Sequence, residues 1–268
     1  MRKNKVPKIG LALGAGGPRG FAHIGVIKIL EKNNIPIDFI AGSSIGAMAG
    51  GLYASSKDIA QIEKDILKTD LKQIVSLVRP SLHQGLIDNE RILKFIEKRI
   101  GGIGFKDLQI PLSVVATDIN TGEGIYINKG KVVPAIMASI SLPLIFRPLK
   151  LGGRLLADGG LSVPVPVEEV RKMGADIVIA VNLDASYFTE ENNSKTYLGF
   201  YRIADNSINI MRYHLASSDI RTADLVISPK LGTVRWREFL DPKEVIVAGE
   251  KAMNRELKEL QSLISSRG

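Results

Sequence analysis

The run Ile37-Asp38-Phe39-Ile40-Ala41-Gly42-Ser43-Ser44-Ile45-Gly46-Ala47 holds a short apolar stretch, a glycine-flanked serine turn and the first residue of an Ala/Gly-rich segment that reaches residue 54. Alternation and β-branched content give a strand over residues 37–41, a sharp turn over 42–46 and a helix over 47–54. Upstream, residues 8–13 form a second apolar run that stops in Gly14-Ala15-Gly16-Gly17-Pro18-Arg19-Gly20. From 21 to 33, Ile24, Ile27 and Leu30 recur at helical spacing, and Asn33, Asn34 and Pro36 close the helix. Strand, loop, helix, strand, turn, helix is the rhythm of a parallel sheet covered by helices, so the expected class is α/β.

The same reading extends along the chain. Helices are expected over 57–68 behind a Ser56 cap, 89–100, 131–141, 200–216 and 243–264. Strands are expected over 111–120, 124–128, 155–157, 176–183 and 225–228. Residues 79–85 and 187–195 read as loops. No repeat, low-complexity tract or linker interrupts the pattern, so residues 1–268 are expected to form one domain.

Composition narrows the function. The chain has 268 residues, 45% of them apolar and 24% charged, which is globular. It has no cysteine, which excludes thiol nucleophiles, Cys-ligated zinc and iron–sulfur clusters. Thirty-six Lys and Arg against 28 Asp and Glu leave 36 − 28 = +8, an attraction toward anionic partners. Aromatic residues make up only 6% and do not interleave with basic runs, so no nucleic-acid partner is expected. No export signal is visible, since Pro7, Lys8 and four glycines break the segment after the basic first residues. Stretches 35–54 and 132–146 are too broken or too short to span a bilayer. A cytoplasmic protein is expected.

Gly42-Ser43-Ser44-Ile45-Gly46 fits G-x-S-x-G with Ser44 at its centre, in the strand-to-helix context that a nucleophile elbow requires. Small neighbours let the chain fold back and leave the hydroxyl exposed. The helix start behind it offers amides and a positive dipole end to an oxyanion. Ser43 reads as a helix cap. The loop from Gly14 to Gly20 can present amides to an anion, and since Pro18 has no N–H the donors are Gly16, Gly17 and Arg19. Two kinds of base are available to a serine. One is a histidine: His23, His83 or His214, the order Ser44, Asp158, His214 matching an α/β-hydrolase triad. The other is Asp158, which closes a short strand before Gly159 and Gly160 and would need burial to become basic enough. A rival use of Gly14–Gly20 is a phosphate cradle of a nucleotide-binding protein, with Asp38 as ribose-binding acid. Its third glycine would fall on Arg19, and it leaves Gly42–Gly46 and Asp158-Gly159-Gly160 unexplained.

Taken in order, the glycine loop, the elbow and the Asp-Gly-Gly motif resemble those of the patatin-like phospholipases, in the bacterial variety akin to neuropathy target esterase. The block Ala138-Ser139-Ile140-Ser141-Leu142-Pro143, with Phe146 and Pro148, is similar to that family's too. The resemblance covers about residues 8–170, and 171–268 match less distinctively. It implies a three-layer fold with a mostly parallel sheet and a Ser–Asp dyad without histidine. Ser44 would be the nucleophile, Asp158 its base, and residues 16–19 with the Ile45 N–H the oxyanion hole. The motif glycines would be Gly14, Gly20, Gly42, Gly46, Gly159 and Gly160. It further implies lipid or other acyl-ester substrates, no cofactor and no metal. Such lipid substrates imply peripheral contact with a membrane, which the charge would make an anionic one, with loops 79–85 and 187–195 as candidate entrances or lids. A catalytically silent lipid-binding protein on this fold is a third reading. One departure is visible: Ala15 and Pro18 interrupt what is often an unbroken glycine run.

Overall fold

In β1 (Ile9–Leu13) every residue is buried, yet its side chains are of two kinds. Ile9, Leu11 and Leu13 enter the large core cluster. Ala12 enters a smaller one, and Gly10 leaves no room for more, since a Cβ there would lie 2.1 Å from Val170 Cγ1. β7 (Ile177–Val181) repeats the division, with Ile177, Ile179 and Val181 on one face and Val178 and Ala180 on the other. Period-two alternation therefore builds a sheet buried on both sides, with bulky residues under one helical layer and small ones under the other.

The computed structural model describes residues 6–68, 90–185, 199–231 and 241–268. The remaining strands are β2 (Phe39–Ser43), β3 (Leu112–Asp118), β4 (Gly124–Ile127), β5 (Leu149–Leu151), β6 (Arg154–Asp158) and β8 (Leu225–Ile227). Their order is β5-β6-β3-β2-β1-β7-β8, with β4 also paired to β3. β3, β2, β1, β7 and β8 run parallel, and the pairs of β3 with β4, β3 with β6 and β5 with β6 are antiparallel.

The thick layer holds α1 (Ala22–Lys32), α2 (Ile45–Ser56), α3 (Ile59–Lys68), α4 (Glu90–Ile100), α5 (Val132–Ser139) and α8 (Pro242–Arg267). The thin layer holds α6 (Val167–Lys172) and α7 (Phe200–Asp219), whose Val167, Val170 and Ala216 pack on the small-residue face. The expected three-layer α/β architecture is the one found. α1 and α8 cross where neither has a side chain: a Cβ on Gly25 would sit 2.0 Å from the Ile246 carbonyl, and one on Gly249 2.1 Å from that of Ala22.

Several boundaries differ from the sequence reading. β2 begins at Phe39 and continues through Gly42 and Ser43, so Ser43 ends a strand and is no helix cap; the residue before α2 is Ser44. Ser56 is the last residue of α2 and does not cap α3. Lys57 turns left-handed at φ 51° to stop α2, and Asp58 Oδ1 accepts the Gln61 N–H of the next helix. β5 and α6 were not anticipated, being too short to show a period. Asp38 lies before β2 and accepts the Ile9 N–H at 2.7 Å, at the strand-start edge of the sheet. The glycine loop lies at the opposite edge, so the nucleotide reading loses its acid. The candidate lids, residues 79–85 and 187–195, lie outside the described residues, as does His83.

Candidate active site

Strand register alone brings the two key residues to one level. Ser43 at the end of β2 pairs with Val115 of β3, and the next β3 residue, Ala116, pairs with Asp158 at the end of β6. The residue after Ser43 therefore leaves its strand where β6, running the other way, delivers Asp158. Their side chains meet: Ser44 Oγ donates to Asp158 Oδ2 at 2.5 Å.

Ser44 sits at φ 55°, ψ −122°, a conformation that costs a non-glycine residue roughly 1–3 kcal/mol. The surroundings hold it there. Its N–H donates to Ser139 Oγ at 2.8 Å, and its carbonyl accepts the Ala47 and Met48 amides that open α2. Flanking glycines make the turn possible. A Cβ on Gly42 would lie 2.5 Å from the Gly46 carbonyl, and one on Gly46 2.1 Å from that of Leu13.

The glycine loop closes over the elbow. A Cβ on Gly20 would overlap Ile45, at 2.1 Å from its Cγ1, and one on Gly160 would reach 2.8 Å from Ala15 Cβ. The residues of the three motifs thus touch one another. Gly16 and Gly17 precede and open a 3-10 turn, Gly17–Phe21, and Gly17 has φ 56°. The Gly14 and Ala15 amides are spent on the carbonyls of Val181 and Pro164. Those of Gly16, Gly17 and Ile45 find no backbone acceptor among the described residues. The Arg19 side chain does not turn toward Ser44. It bonds the Gly16 and Leu183 carbonyls and Asp184.

Asp158 is buried, and burial raises its carboxyl to about 6, against the opposing pull of the Ser44 hydroxyl, the Gly160 N–H and the Arg212 charge. The Gly160 N–H donates to Oδ1 at 2.8 Å, leaving Oδ2 for Ser44. At neutral pH the group is ionised, yet more basic than an ordinary carboxylate.

The histidines are elsewhere engaged. His23 is fully buried and its Nε2 bonds the Gly14 carbonyl at 2.8 Å. Since a carbonyl only accepts, Nε2 carries the proton, and burial lowers the ring to about 4, so it is neutral at pH 7. His214 is exposed, edge-on to Tyr213. Among the described residues no group of three or more His, Asp or Glu stands together as a metal site. Sequence reasoning missed Ser139, Asp184 and Arg212 as parts of this region. Ser139 could have been found as the serine of the Ala138-Ser139 block.

A serine hydroxyl on a strained strand–helix turn, bonded to a buried carboxylate at the C-terminal edge of the sheet, sits in a three-layer α/β fold. The model of the patatin-like phospholipase family matches residues 11–171, and the chain belongs to that family. It is 38% identical over 189 residues to an uncharacterized NTE family protein of Mycobacterium tuberculosis, an alignment that takes in 69% of this chain and 52% of that one. It is 35% identical over 199 residues to lysophospholipase NTE1 of Debaryomyces hansenii, covering 72% of this chain and 13% of the yeast protein. The chain thus spans about half the length of its mycobacterial relatives. Among solved structures, VipD from Legionella pneumophila shares the fold, with a TM-score of 0.56 and 14% identity over 95% of this chain and 67% of that one. ExoU, in its complex with SpcU from Pseudomonas aeruginosa, superposes with a TM-score of 0.53 and 15% identity over 96% and 52%.

Proposed function

We propose that this protein is a serine esterase acting on lipid acyl esters, of phospholipase A or lysophospholipase type, with Ser44 as nucleophile and Asp158 as its base. The 2.5 Å hydrogen bond from Ser44 Oγ to a carboxylate made more basic by burial carries this reading. Ser44 attacks the ester carbonyl as its proton passes to Asp158 Oδ2. The tetrahedral oxyanion forms beside the amides of Gly16, Gly17, Arg19 and Ile45, with the positive end of α2 behind them. Collapse expels the alcohol or lysolipid, which takes the proton from Asp158. Water then attacks the acyl-enzyme with Asp158 again as base, freeing the fatty acid and restoring Ser44. His23 holds the Gly14 carbonyl, a supporting role outside proton transfer.

We read residues 1–268 as a single hydrolase unit, since β7 and β8 complete the sheet that β1 and β2 begin. The same reading has the protein act in the cytoplasm, at the surface of an anionic membrane. Among the described residues no helix is long and apolar enough to cross a bilayer, and the net charge of +8 suits reversible binding to anionic lipid.

Covalent labelling tests the proposal. A fluorophosphonate should modify Ser44 and nothing else, and a screen of defined lipid esters should show turnover that Ser44→Ala abolishes. Nucleotide-dependent thermal protection without labelling would support the phosphate-cradle alternative. Lipid binding without labelling would make the protein a silent binder. Binding to anionic vesicles that ignores salt, or is absent, would remove the membrane part.

A further inference from the structure

Behind the dyad lies a buried ionic cluster that the reaction as written does not use. Asp184 follows the end of β7 and is 2% exposed; Arg19 is 3% and Arg212 5% exposed. Arg19 Nη2 reaches Asp184 Oδ1 at 2.7 Å. Arg212 bonds the same carboxylate twice, Nε to Oδ2 and Nη2 to Oδ1, both at 2.9 Å. Asn209, one turn earlier on α7, accepts from Arg212 Nη2 at 2.8 Å. The Asp184 N–H is held by Asn182 Oδ1.

Each arginine also touches the machinery. Arg19 Nε donates to the carbonyl of Gly16 and Nη1 to that of Leu183, so Asp184 fixes, through Arg19, the peptide on which the loop amides hang. Arg212 packs its stem against Gly160, where a Cβ would meet its Cδ at 3.4 Å, and its charge acts on Asp158. Both guanidiniums share the Asp184 carboxylate, and the Arg212 charge favours the ionised form of Asp158. A buried ion network adds little stability compared with apolar packing. Its value here is what it does to the two sides of the site.

We propose that Asp184 and Arg212 are positioning residues for the reaction. Asp184 locks the glycine loop through Arg19, and Arg212 supplies the positive charge that keeps Asp158 ionised. The inference rests on the Ser44–Asp158 reading. Among the described residues, the groups facing Asp158 are the Ser44 hydroxyl from the elbow, the Gly160 N–H from its own turn and Arg212 from α7. Arg19 and Asp184 lie one contact further. On the paired strand, Thr117 Oγ1 donates to the Asp158 carbonyl, and Asp118 is held by Arg154. His23 behind the loop is neutral.

The test is the pH dependence of kcat/KM for a soluble ester, with thermal unfolding of each variant alongside. In Arg212→Gln the acid limb should move up by about one unit and kcat at pH 7 fall about tenfold, about twofold of it from the smaller ionised fraction and the rest from the loosened grip on Asp184, with KM within about twofold. Arg212→Lys should return the limb to the wild-type position while recovering only part of kcat, since an ammonium cannot grip Asp184 with two parallel bonds. Asp184→Asn, which removes a negative charge near Asp158, should move the limb down and still lower kcat. A folded Arg212→Gln with an unmoved limb, or Arg212→Lys no better than Arg212→Gln, would overturn the proposal. If Arg212→Gln does not fold, the downward limb of Asp184→Asn decides, and an unmoved limb there counts against it. Asp158→Asn measured beside them separates the two readings: activity in that variant sinks the dyad itself.

Discussion

Residues 8–171 and residues 172–268 contribute to the site in different ways. The first region supplies the atoms that would react: Ser44, Asp158 and the amides of residues 16–19 and 45, all on turns rich in glycine. The second supplies no reacting atom and adds to what holds them, namely Asp184 after β7, Arg212 on α7, and α8 clasping α1 through Gly25 and Gly249. The difference teaches that reacting groups are marked by local backbone demands, whereas the supports in the second region are marked only by contacts made in three dimensions. Changes in the first region should therefore remove chemistry and spare the fold, and changes in the second should trade rate against stability.

The sharpest break would come at the dyad. Ser44→Ala and Asp158→Asn are each expected to lower ester turnover roughly a thousandfold or more, with an unfolding temperature no lower than wild type. Initial rates on a chromogenic ester beside a melting curve check both. Gly249→Val should do the reverse. Its side chain would strike the Ala22 backbone, costing about 3 kcal/mol and about 6–10 °C of Tm. Turnover measured well below the melt should stay within about threefold.

The third expectation concerns the cost of the base itself. Asp158 titrates at about 6 when folded, against an ordinary value of 3.8. The folded state thus binds the proton more tightly than the unfolded one. Asp158 contributes stability that is fully present below about 4 and lost as pH rises through about 6. Asp158→Asn, which carries no charge, should accordingly be more stable than wild type at pH 8, by on the order of 2 kcal/mol, and equal to it at pH 4. Denaturant titrations at the two pH values read this directly, and a gap that does not change with pH would contradict it.

Smaller effects sharpen the picture. Ser139→Ala takes away the acceptor of the Ser44 N–H and leaves that amide buried, a loss of about 1–3 kcal/mol. A kcat reduction of about tenfold with unchanged KM is expected. His214→Ala, on an exposed face of α7, should change turnover by less than about twofold, and a large loss would restore the histidine triad.

These contrasts follow what could be read from the chain alone. The elbow and Asp-Gly-Gly were legible because a strained serine needs Gly42 and Gly46, and because Asp158 ends a strand before residues with no side chain. The parallel sheet was legible from apolar runs alternating with helical spacing. Ser43 was misread because strand and turn share the same small residues, and only pairing with Val115 keeps it in β2. The spacing marks Arg19 only as a backbone donor, and its guanidinium is spent on a carboxylate 165 positions away. Asp184 and Arg212 carry no local signature, since an aspartate after a strand and an arginine in a helix are ordinary until the fold joins them. β5 and α6 are shorter than the windows in which a period can be seen.

One further consequence concerns the place of β7. The family match stops at residue 171, but β1, from which the glycine loop springs, lies between β2 and β7. A fragment trimmed to the matched stretch would turn an interior strand into an open border, with unpaired peptide groups ready to zip onto another molecule. Excising the recognisable part of this protein would yield a sticky half-sheet rather than a minimal enzyme.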